Sequence, residues 1–422
     1  MNYGVIGEHL PHSFSKIIHE KIETYAYEIR EIERESLDAF MREKPFEGIN
    51  VTIPYKESVI PYLDEIDPMA KAIGAVNTIV NKNGRLYGYN TDFKGMSALI
   101  RRLGLTLRGK KVLILGTGGT SKTAKALAIA EGARAVHRIS FFKSEDAILY
   151  EEAYRLHADA DILINTTPCG MFPKLDTIAT DENGKDLTLD AFPKLEGVVD
   201  VVYNPLRTRL VQEAQKRSLP SQGGLYMLVA QAVYAAEYFT GKHYPTAIID
   251  RVFNEIVTEK ENIVLVGMPA SGKTTVGVIL AEKTQRELID TDDAIVALVG
   301  KDIPTIFREE GEAAFRKYES EVIRSLATKE NLIIATGGGA ILKAENCENL
   351  KHNGRLYFID RPLDKLLPTD DRPTASSREA IEARYRERYG IYQAVADRHI
   401  DADRSPEAVA EMILNCHLRK DD

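Results

Sequence analysis

The 422-residue chain has no tryptophan, only three cysteines and no apolar run long enough to span a membrane. Each absence excludes something. Cys169, Cys347 and Cys416 stand far apart, share no metal-ligand spacing and are odd in number. Neither a disulfide framework nor a cysteine-held metal is expected, and the thiols read as reduced ones of a cytoplasmic protein. The opening stretch, MNYGVIGEHLPHS, lacks the basic and apolar regions of a signal peptide. Positive charge is in deficit: 55 Lys and Arg face 63 Asp and Glu, a net −8. Neither a nucleic-acid polymer nor a membrane is therefore expected as partner. His12 and His19 have no companion at metal spacing and are expected to be structural.

What is present is a globular composition. Hydrophobic residues make up 44% of the chain, enough for packed cores. At roughly 100–200 residues per domain, about three domains are expected. Apolar runs alternate with helical patterns, which points to an α/β architecture. Residues 1–92 read as strands and helices ending in a hairpin, Ala75–Val80 and Arg85–Tyr89 around the turn Asn81-Lys82-Asn83-Gly84. Buried strands are expected at Lys111–Leu115, Ala135–His137, Asp161–Asn165 and Gly197–Val202, with closing helices at Gly223–Thr240 and Thr246–Thr258. A second strand-loop-helix series starts at Asn262, after the charged segment TEKEN, which is expected to be a linker over 258–262.

Two glycine-rich turns carry chemistry. The segment NIVLVGMPASGKTTVGVILAEK fits the P-loop pattern from Gly267 to Thr274. Its glycines let backbone N–H groups turn towards phosphate oxygens at a helix N-terminus, where anions are favoured. Gly267, Ala270, Ser271, Gly272, Lys273, Thr274 and Thr275 are the expected ATP contacts. Lys273 is to reach the β- and γ-phosphates, and the Thr274 hydroxyl is to reach Mg²⁺. The segment KKVLILGTGGTSKTAKALA places Gly116, Gly118, Gly119 and Thr120 after a strand and at a helix start, with Ser121 as the small third residue of a dinucleotide fingerprint. An NAD site wants a carboxylate about 20 residues on. Here the next strand ends in His137-Arg138, followed by Lys143, with no carboxylate at that position. Cations suit a 2′-phosphate, so NADP(H) is expected.

Further motifs bring a resemblance. The segments GEHLPHSFSKIIHE, GINVTIPYK, GAVNT, YNTDFKG, NTTPCGM, DVVYNP and GGLYMLVAQ occur in that order between Gly7 and Gln231. Over residues 1–257 the chain thereby resembles shikimate dehydrogenases. The resemblance implies that Ser13 and Ser15 bind the substrate carboxylate and that Thr52, Asn77, Tyr203 and Gln231 complete a polar pocket. Lys56 and Asp92 would be the catalytic pair, and Val201 and Gly224 would border the nicotinamide. Lys16 stands where that family usually has proline. Over residues 262–422 the segments DTD (290–292), IFREEGEAAFRKYE, IIATGGGA and RYGIYQAVA resemble shikimate kinases. This implies that Asp290 helps hold Mg²⁺ and that Asp292 takes the proton of the attacking hydroxyl. Arg316 and Arg388 would bind the substrate carboxylate, Gly338 would let the backbone approach the ring, and Arg372 would be the lid arginine. Thr374 and Ala375 replace the family's usual leucines.

The expected organisation follows. A dehydrogenase substrate domain (1–95, completed by helices in 223–257) and a Rossmann NADP domain (96–222) precede a P-loop kinase domain with a parallel sheet (263–422). The expected activities are reduction of 3-dehydroshikimate to shikimate and phosphorylation of shikimate. Three alternatives stay open: an NAD(H)-using quinate-type dehydrogenase, a kinase for another metabolite, and one half kept as a non-catalytic binding module. A homodimer is compatible with the sequence.

Overall fold

The computed structural model describes residues 2–10, 13–366 and 377–418. The chain divides into two compact units, Met1–Ile256 and Val257–Asp422.

The first unit contains two sheets. The leading sheet is built from β1 (Tyr3–Gly7), β2 (Tyr27–Glu31), β3 (Gly48–Val51), β4 (Glu65–Ile66), β5 (Thr78–Lys82) and β6 (Arg85–Tyr89), in the order β2-β1-β3-β5-β6-β4. β1, β2 and β3 run parallel, whereas β5 pairs antiparallel with β3 and β6. The hairpin falls later than expected. Its turn is only Asn83 and Gly84, with φ of 54° and 84°, the left-handed pair that a two-residue type I′ turn requires. Ala75 to Asn77 lie outside the strand, and there Val76 N–H donates to Lys56 O and Asn77 N–H to Tyr89 O. His19 is buried, stacked on Tyr27 at 3.9 Å. Burial pushes its imidazole down to about 3, so it stays neutral.

The second sheet of this unit is all parallel. It comprises β7 (Lys111–Leu115), β8 (Ala135–Ile139), β9 (Ile162–Asn165), β10 (Gly197–Asp200) and β11 (Ser221–Gln222), ordered β11-β10-β9-β7-β8. Leu113 and Leu115 pack with Tyr150, Ala153 and Phe192 on one face, while Val112 and Ile114 are equally buried on the other. Burial on both faces is why these strands read as unbroken apolar runs. The order reverses beside β7, so the turn after Leu115 sits at the switch point where doubly wound sheets bind ligands.

The last helix beginning in the first unit runs Ala247–Lys260, and the next strand, β12, opens at Asn262. The expected linker over 258–262 is therefore corrected. Thr258 to Lys260 are helical, because charged residues alone do not interrupt a helix that lacks Gly and Pro.

The second unit holds one parallel sheet of β12 (Asn262–Val266), β13 (Leu288–Asp290), β14 (Ile333–Ala335), β15 (Gly354–Asp360) and β16 (Arg398–Asp401), ordered β13-β14-β12-β15-β16. Alternate residues of β12 supply its two cores: Val264 and Val266 join Ile334, Leu356 and Phe358, and Ile263 and Leu265 join Ile333, Tyr357 and Ile359. The P-loop leaves the C-terminal end of the central strand.

Candidate active sites

In the first unit, β3 ends at Val51 and the chain turns through Thr52 to Lys56. Facing it is the helix Thr91–Arg102, whose start is fixed by Asn90, its side chain accepting from Phe93 N–H at 3.2 Å. This cap sets Asp92 in the first helical turn. Lys56 Nζ meets Asp92 Oδ2 at 2.6 Å, and the side chains are 19% and 11% exposed. Behind Asp92 lies a buried polar knot. Thr91 N–H donates to Asn77 Oδ1 at 2.7 Å, Asn77 Nδ2 donates to Thr91 Oγ1 at 3.1 Å, and Thr91 Oγ1 donates to Gln231 Oε1 at 3.2 Å. Gln231 Nε2 donates to Leu228 O, which fixes its amide. The knot extends through Thr78 to Asn50 and Tyr27. Such a network is rigid when its members are satisfied.

Other expected residues fall in separate places. Ser15 N–H donates to Ser13 Oγ at 3.3 Å at the start of the helix Ser15–Ile22. Tyr203 packs its ring 5.3 Å from Phe14, and burial pushes its hydroxyl up. Gly224 lies against Val201: an added Cβ would come within 2.1 Å of Val201 O, so only glycine fits there. Asp200, which opens the DVVYNP segment, is fully buried and accepts from Asn165 Nδ2, Val202 N–H and Thr208 Oγ1. Desolvation outweighs these bonds and pushes its carboxyl up to about 6.

The glycine turn after β7 fits a dinucleotide. Gly116 has φ of 102°, and an added Cβ would sit 3.0 Å from Thr166 Oγ1. Beyond Gly118 and Gly119 a Cβ would meet open space, and no side chain caps the helix Gly119–Ala130. A pyrophosphate could therefore approach the helix N-terminus. Arg138, near the end of β8, is 8% exposed and donates to Ser121 Oγ at 3.4 Å. The sequence position expected for an NAD-site carboxylate holds none, but one arrives from further along the chain. The chain doubles back after β8 and brings Asp146 Oδ2 to 3.3 Å from Arg138 Nη2. Lys125 Nζ meets the other oxygen of Asp146 at 3.0 Å. Lys143 is not part of this group; it is 71% exposed and lies 3.8 Å from Glu152.

In the second unit, Lys273 is buried and its Nζ donates to Gly267 O at 2.9 Å and Met268 O at 2.8 Å. Ala270 and Gly272 have φ of 63° and 93°, and no side chain caps the helix Lys273–Thr284. Thr274 Oγ1 donates to Asp290 Oδ2 at 2.8 Å. A hydroxyl and a carboxylate so placed form an oxygen donor set that suits Mg²⁺. The other oxygen of Asp290 accepts from Asp292 N–H at 2.9 Å and so caps the helix that carries Asp292.

Beside the loop lies a pocket of about 440 Å³, open mouth included, lined by Pro269, Asp292, Ile303, Phe307, Phe315, Arg316, Glu319, Gly337, Gly338, Gly339 and Arg388. The three glycines are pressed by side chains. A Cβ at Gly337 would lie 2.7 Å from Asp292 Oδ1, one at Gly338 2.8 Å from Pro269, and one at Gly339 2.2 Å from Arg316 Nη1. Arg388, expected on a charged helix, is 1% exposed and donates to Gly338 O at 3.1 Å. Desolvation pushes its guanidinium down. Arg316 pairs with Glu319 at 2.8 Å and Glu312 at 3.1 Å. Burial raises the Glu319 carboxyl, against the pull of Arg316. Arg372 lies outside the described residues, as do Thr374, Ala375 and His12.

Comparison with known proteins gives the family. A shikimate dehydrogenase from Clostridium beijerinckii, described as NADP(+)-dependent, is 37% identical over 253 residues, 56% of this chain and 90% of its own length. The chain belongs to the shikimate dehydrogenase family. A model of the shikimate dehydrogenase substrate-binding domain matches residues 5–79, and a shikimate kinase model matches residues 269–417. The solved shikimate dehydrogenase 1 of Peptoclostridium difficile is 34% identical, with a TM-score of 0.54, and covers 61% of this chain and 98% of its own. One from Thermus thermophilus, solved with NADP(H) and shikimate, is 29% identical, with a TM-score of 0.52, and covers 60% of this chain and 99% of its own. The chain therefore joins a member of the shikimate dehydrogenase family to a shikimate kinase domain, which makes it an enzyme of the shikimate pathway.

Sequence reasoning missed several residues at these sites. In the dehydrogenase unit they are Thr91, Lys125 and Asp146; in the kinase unit, Glu319 and the aromatic wall of Phe307 and Phe315. Thr91 and Glu319 lay inside quoted segments, one residue before Asp92 and three after Arg316. Lys125 stands one helical turn beyond Ser121, where facing residues recur. Asp146 carried no local signal. Among the described residues, no helix is long and apolar enough to cross a membrane.

Proposed function

We propose that this chain carries out two successive reactions: NADPH-dependent reduction of 3-dehydroshikimate to shikimate, then ATP-dependent phosphorylation of shikimate to shikimate 3-phosphate. The observation that carries the first is the Lys56–Asp92 pair at 2.6 Å, beside the Asn77–Thr91–Gln231 knot. NADPH, when bound, supplies the hydride to the ketone carbon. The ketone oxygen then gains negative charge and needs a proton. Lys56 Nζ holds that proton against Asp92 and delivers it, and Asp92 keeps the ammonium aimed. Asn77 and Gln231 orient the ring hydroxyls, and Ser13 and Ser15 take the carboxylate, with Thr52 and Tyr203 closing the pocket. Gly116, Gly118, Gly119 and Thr120 receive the pyrophosphate, Arg138 receives the 2′-phosphate, and Val201 and Gly224 border the nicotinamide.

The second reaction is supported by the pocket where Asp292, Arg316, Gly338 and Arg388 meet beside the P-loop. Arg316 and Arg388 hold the substrate carboxylate, for which a guanidinium fork is suited. Asp292 accepts the proton of the attacking hydroxyl. Lys273 leaves the loop carbonyls for the phosphates, and Thr274 and Asp290 would hold Mg²⁺, which neutralises phosphate charge.

Incubating the purified chain with 3-dehydroshikimate, NADPH, ATP and Mg²⁺ tests the proposal. Shikimate should form and be consumed as shikimate 3-phosphate appears. Failure of reduction, or of phosphorylation when shikimate is supplied directly, in folded protein overturns that half.

A further inference from the structure

We propose that Asp146 sets the cofactor selectivity of the dehydrogenase unit by competing with the 2′-phosphate for Arg138 and Lys125. The inference rests on reading the Gly116–Ser121 turn as the NADP(H) site. Its basis is the way the chain after β8 closes on itself. Ser140 N–H donates to Ile148 O at 3.0 Å, and Ile148 N–H returns to Arg138 O at 2.9 Å. This lays Asp146 over the guanidinium. Arg138 Nε donates to Asp146 O at 3.2 Å, Nη2 faces Asp146 Oδ2 at 3.3 Å, and Nη1 donates to Ser121 Oγ at 3.4 Å. All three guanidinium nitrogens are engaged, two of them by Asp146. Its remaining oxygen takes Lys125 Nζ at 3.0 Å. One carboxylate therefore occupies both Arg138, which bonds Ser121, and Lys125 on the helix that follows the glycine turn.

The chemistry cuts in two directions. A 2′-phosphate is a multiply charged anion that needs these same donors, and it meets Asp146 as a like charge. The ribose 2′-hydroxyl of a non-phosphorylated cofactor is a donor, and a carboxylate is what it seeks. Asp146 is ionised for either task, because Lys125 first and then Arg138 hold its carboxyl below the usual range. Its side chain is 64% exposed, so it can swing aside for the phosphate. The site thus combines a cation for NADP(H) with a carboxylate that narrows the preference, an arrangement the motif positions do not reveal.

The test measures dissociation constants of NADP⁺, NAD⁺ and adenosine 2′,5′-bisphosphate on the full chain by calorimetry, for wild type, Asp146→Asn and Asp146→Ala. It is paired with kcat/KM for NADPH and NADH. Both variants should bind NADP⁺ and the bisphosphate about three- to tenfold more tightly, the size of a partly screened charge contact. NAD⁺ should bind more weakly, and the kcat/KM ratio should rise in favour of NADPH. Unchanged or looser binding of the bisphosphate in both variants overturns the inference and leaves the NADP(H) reading intact. A wild-type chain that binds neither dinucleotide overturns that reading itself. Asp146 contributes no core packing, and a thermal melt equal to wild type shows that the variants are folded.

Discussion

The two units hold their reactive groups in different ways. In the dehydrogenase unit the pair proposed as catalytic is already assembled: Lys56 and Asp92 are 2.6 Å apart, largely shielded from water and backed by a buried polar knot. In the kinase unit Lys273 and Thr274 are held by the protein itself. Lys273 donates to the carbonyls of Gly267 and Met268, and Thr274 donates to Asp290. The difference follows from the ligands. The ketone group of the proposed substrate is itself uncharged, and the carboxylate is assigned to Ser13 and Ser15, so the protein places Lys56 beforehand. A nucleotide phosphate with Mg²⁺ brings strong charge, which can draw Lys273 and Thr274 away from their internal partners.

Breaking each arrangement separately should give the largest effects. Lys56→Ala should lower reduction by about 10²–10⁴-fold, the usual weight of a positioned proton donor, and leave phosphorylation unchanged. Lys273→Ala should do the reverse. Separate assays, NADPH loss with 3-dehydroshikimate and shikimate 3-phosphate formation from added shikimate, read the two reactions, and loss of both in one folded variant would mean the sites are not independent. Asp292→Asn should slow phosphorylation on the same scale of about 10²–10⁴-fold, while shikimate binding, measured by calorimetry, stays within severalfold.

Smaller effects sharpen the contrast between a preassembled and a ligand-organised site. Asp200, beneath the dehydrogenase site, has a carboxyl raised from 3.8 to about 6. A raised acid favours the protonated native state. Its contribution is fully present below 3.8 and is lost as pH rises through about 6. At about 1.4 kcal/mol per pH unit of displacement, this is of the order of 3 kcal/mol. Urea unfolding of the full chain at pH 4.5 and 7 should show about 2 kcal/mol of this loss in the dehydrogenase unit, since about 1 kcal/mol is already gone at pH 4.5, and Asp200→Asn should flatten it. An equally steep profile in the variant would assign the pH dependence elsewhere. Thr91→Val should leave Asn77 and Gln231 without their shared hydroxyl, costing about 1–3 kcal/mol. The KM for 3-dehydroshikimate should rise more than kcat falls if, as proposed, the knot orients substrate and Lys56 transfers the proton. Equal changes in the two constants would place Thr91 closer to the chemistry than its geometry suggests.

How much was legible in the sequence depended on distance along the chain. β7 was read to the residue, and the helix after it was anticipated, since one buried strand and one glycine turn are local matters. The hairpin slipped because Ala75 and Val76 are apolar enough to extend the strand, yet the N–H groups of Val76 and Asn77 bond to Lys56 O and Tyr89 O. The linker was misread because TEKEN has the charge of a loop, whereas nothing in it breaks a helix.

By itself the sequence determined the two nucleotide turns and their order along the chain. A P-loop or a dinucleotide turn is set by contiguous residues: glycines that allow the required φ values, then a helix start with open N–H groups. It also determined, through ordered segments, the families of the two parts. Tertiary structure alone decided which side chains meet. Lys56 reaches Asp92 across 36 residues, Thr91 reaches Gln231 across 140, and Arg138 receives Asp146 because the chain after β8 folds back on itself. Such meetings depend on how strands and helices pack, and packing is a property of the whole core rather than of any segment.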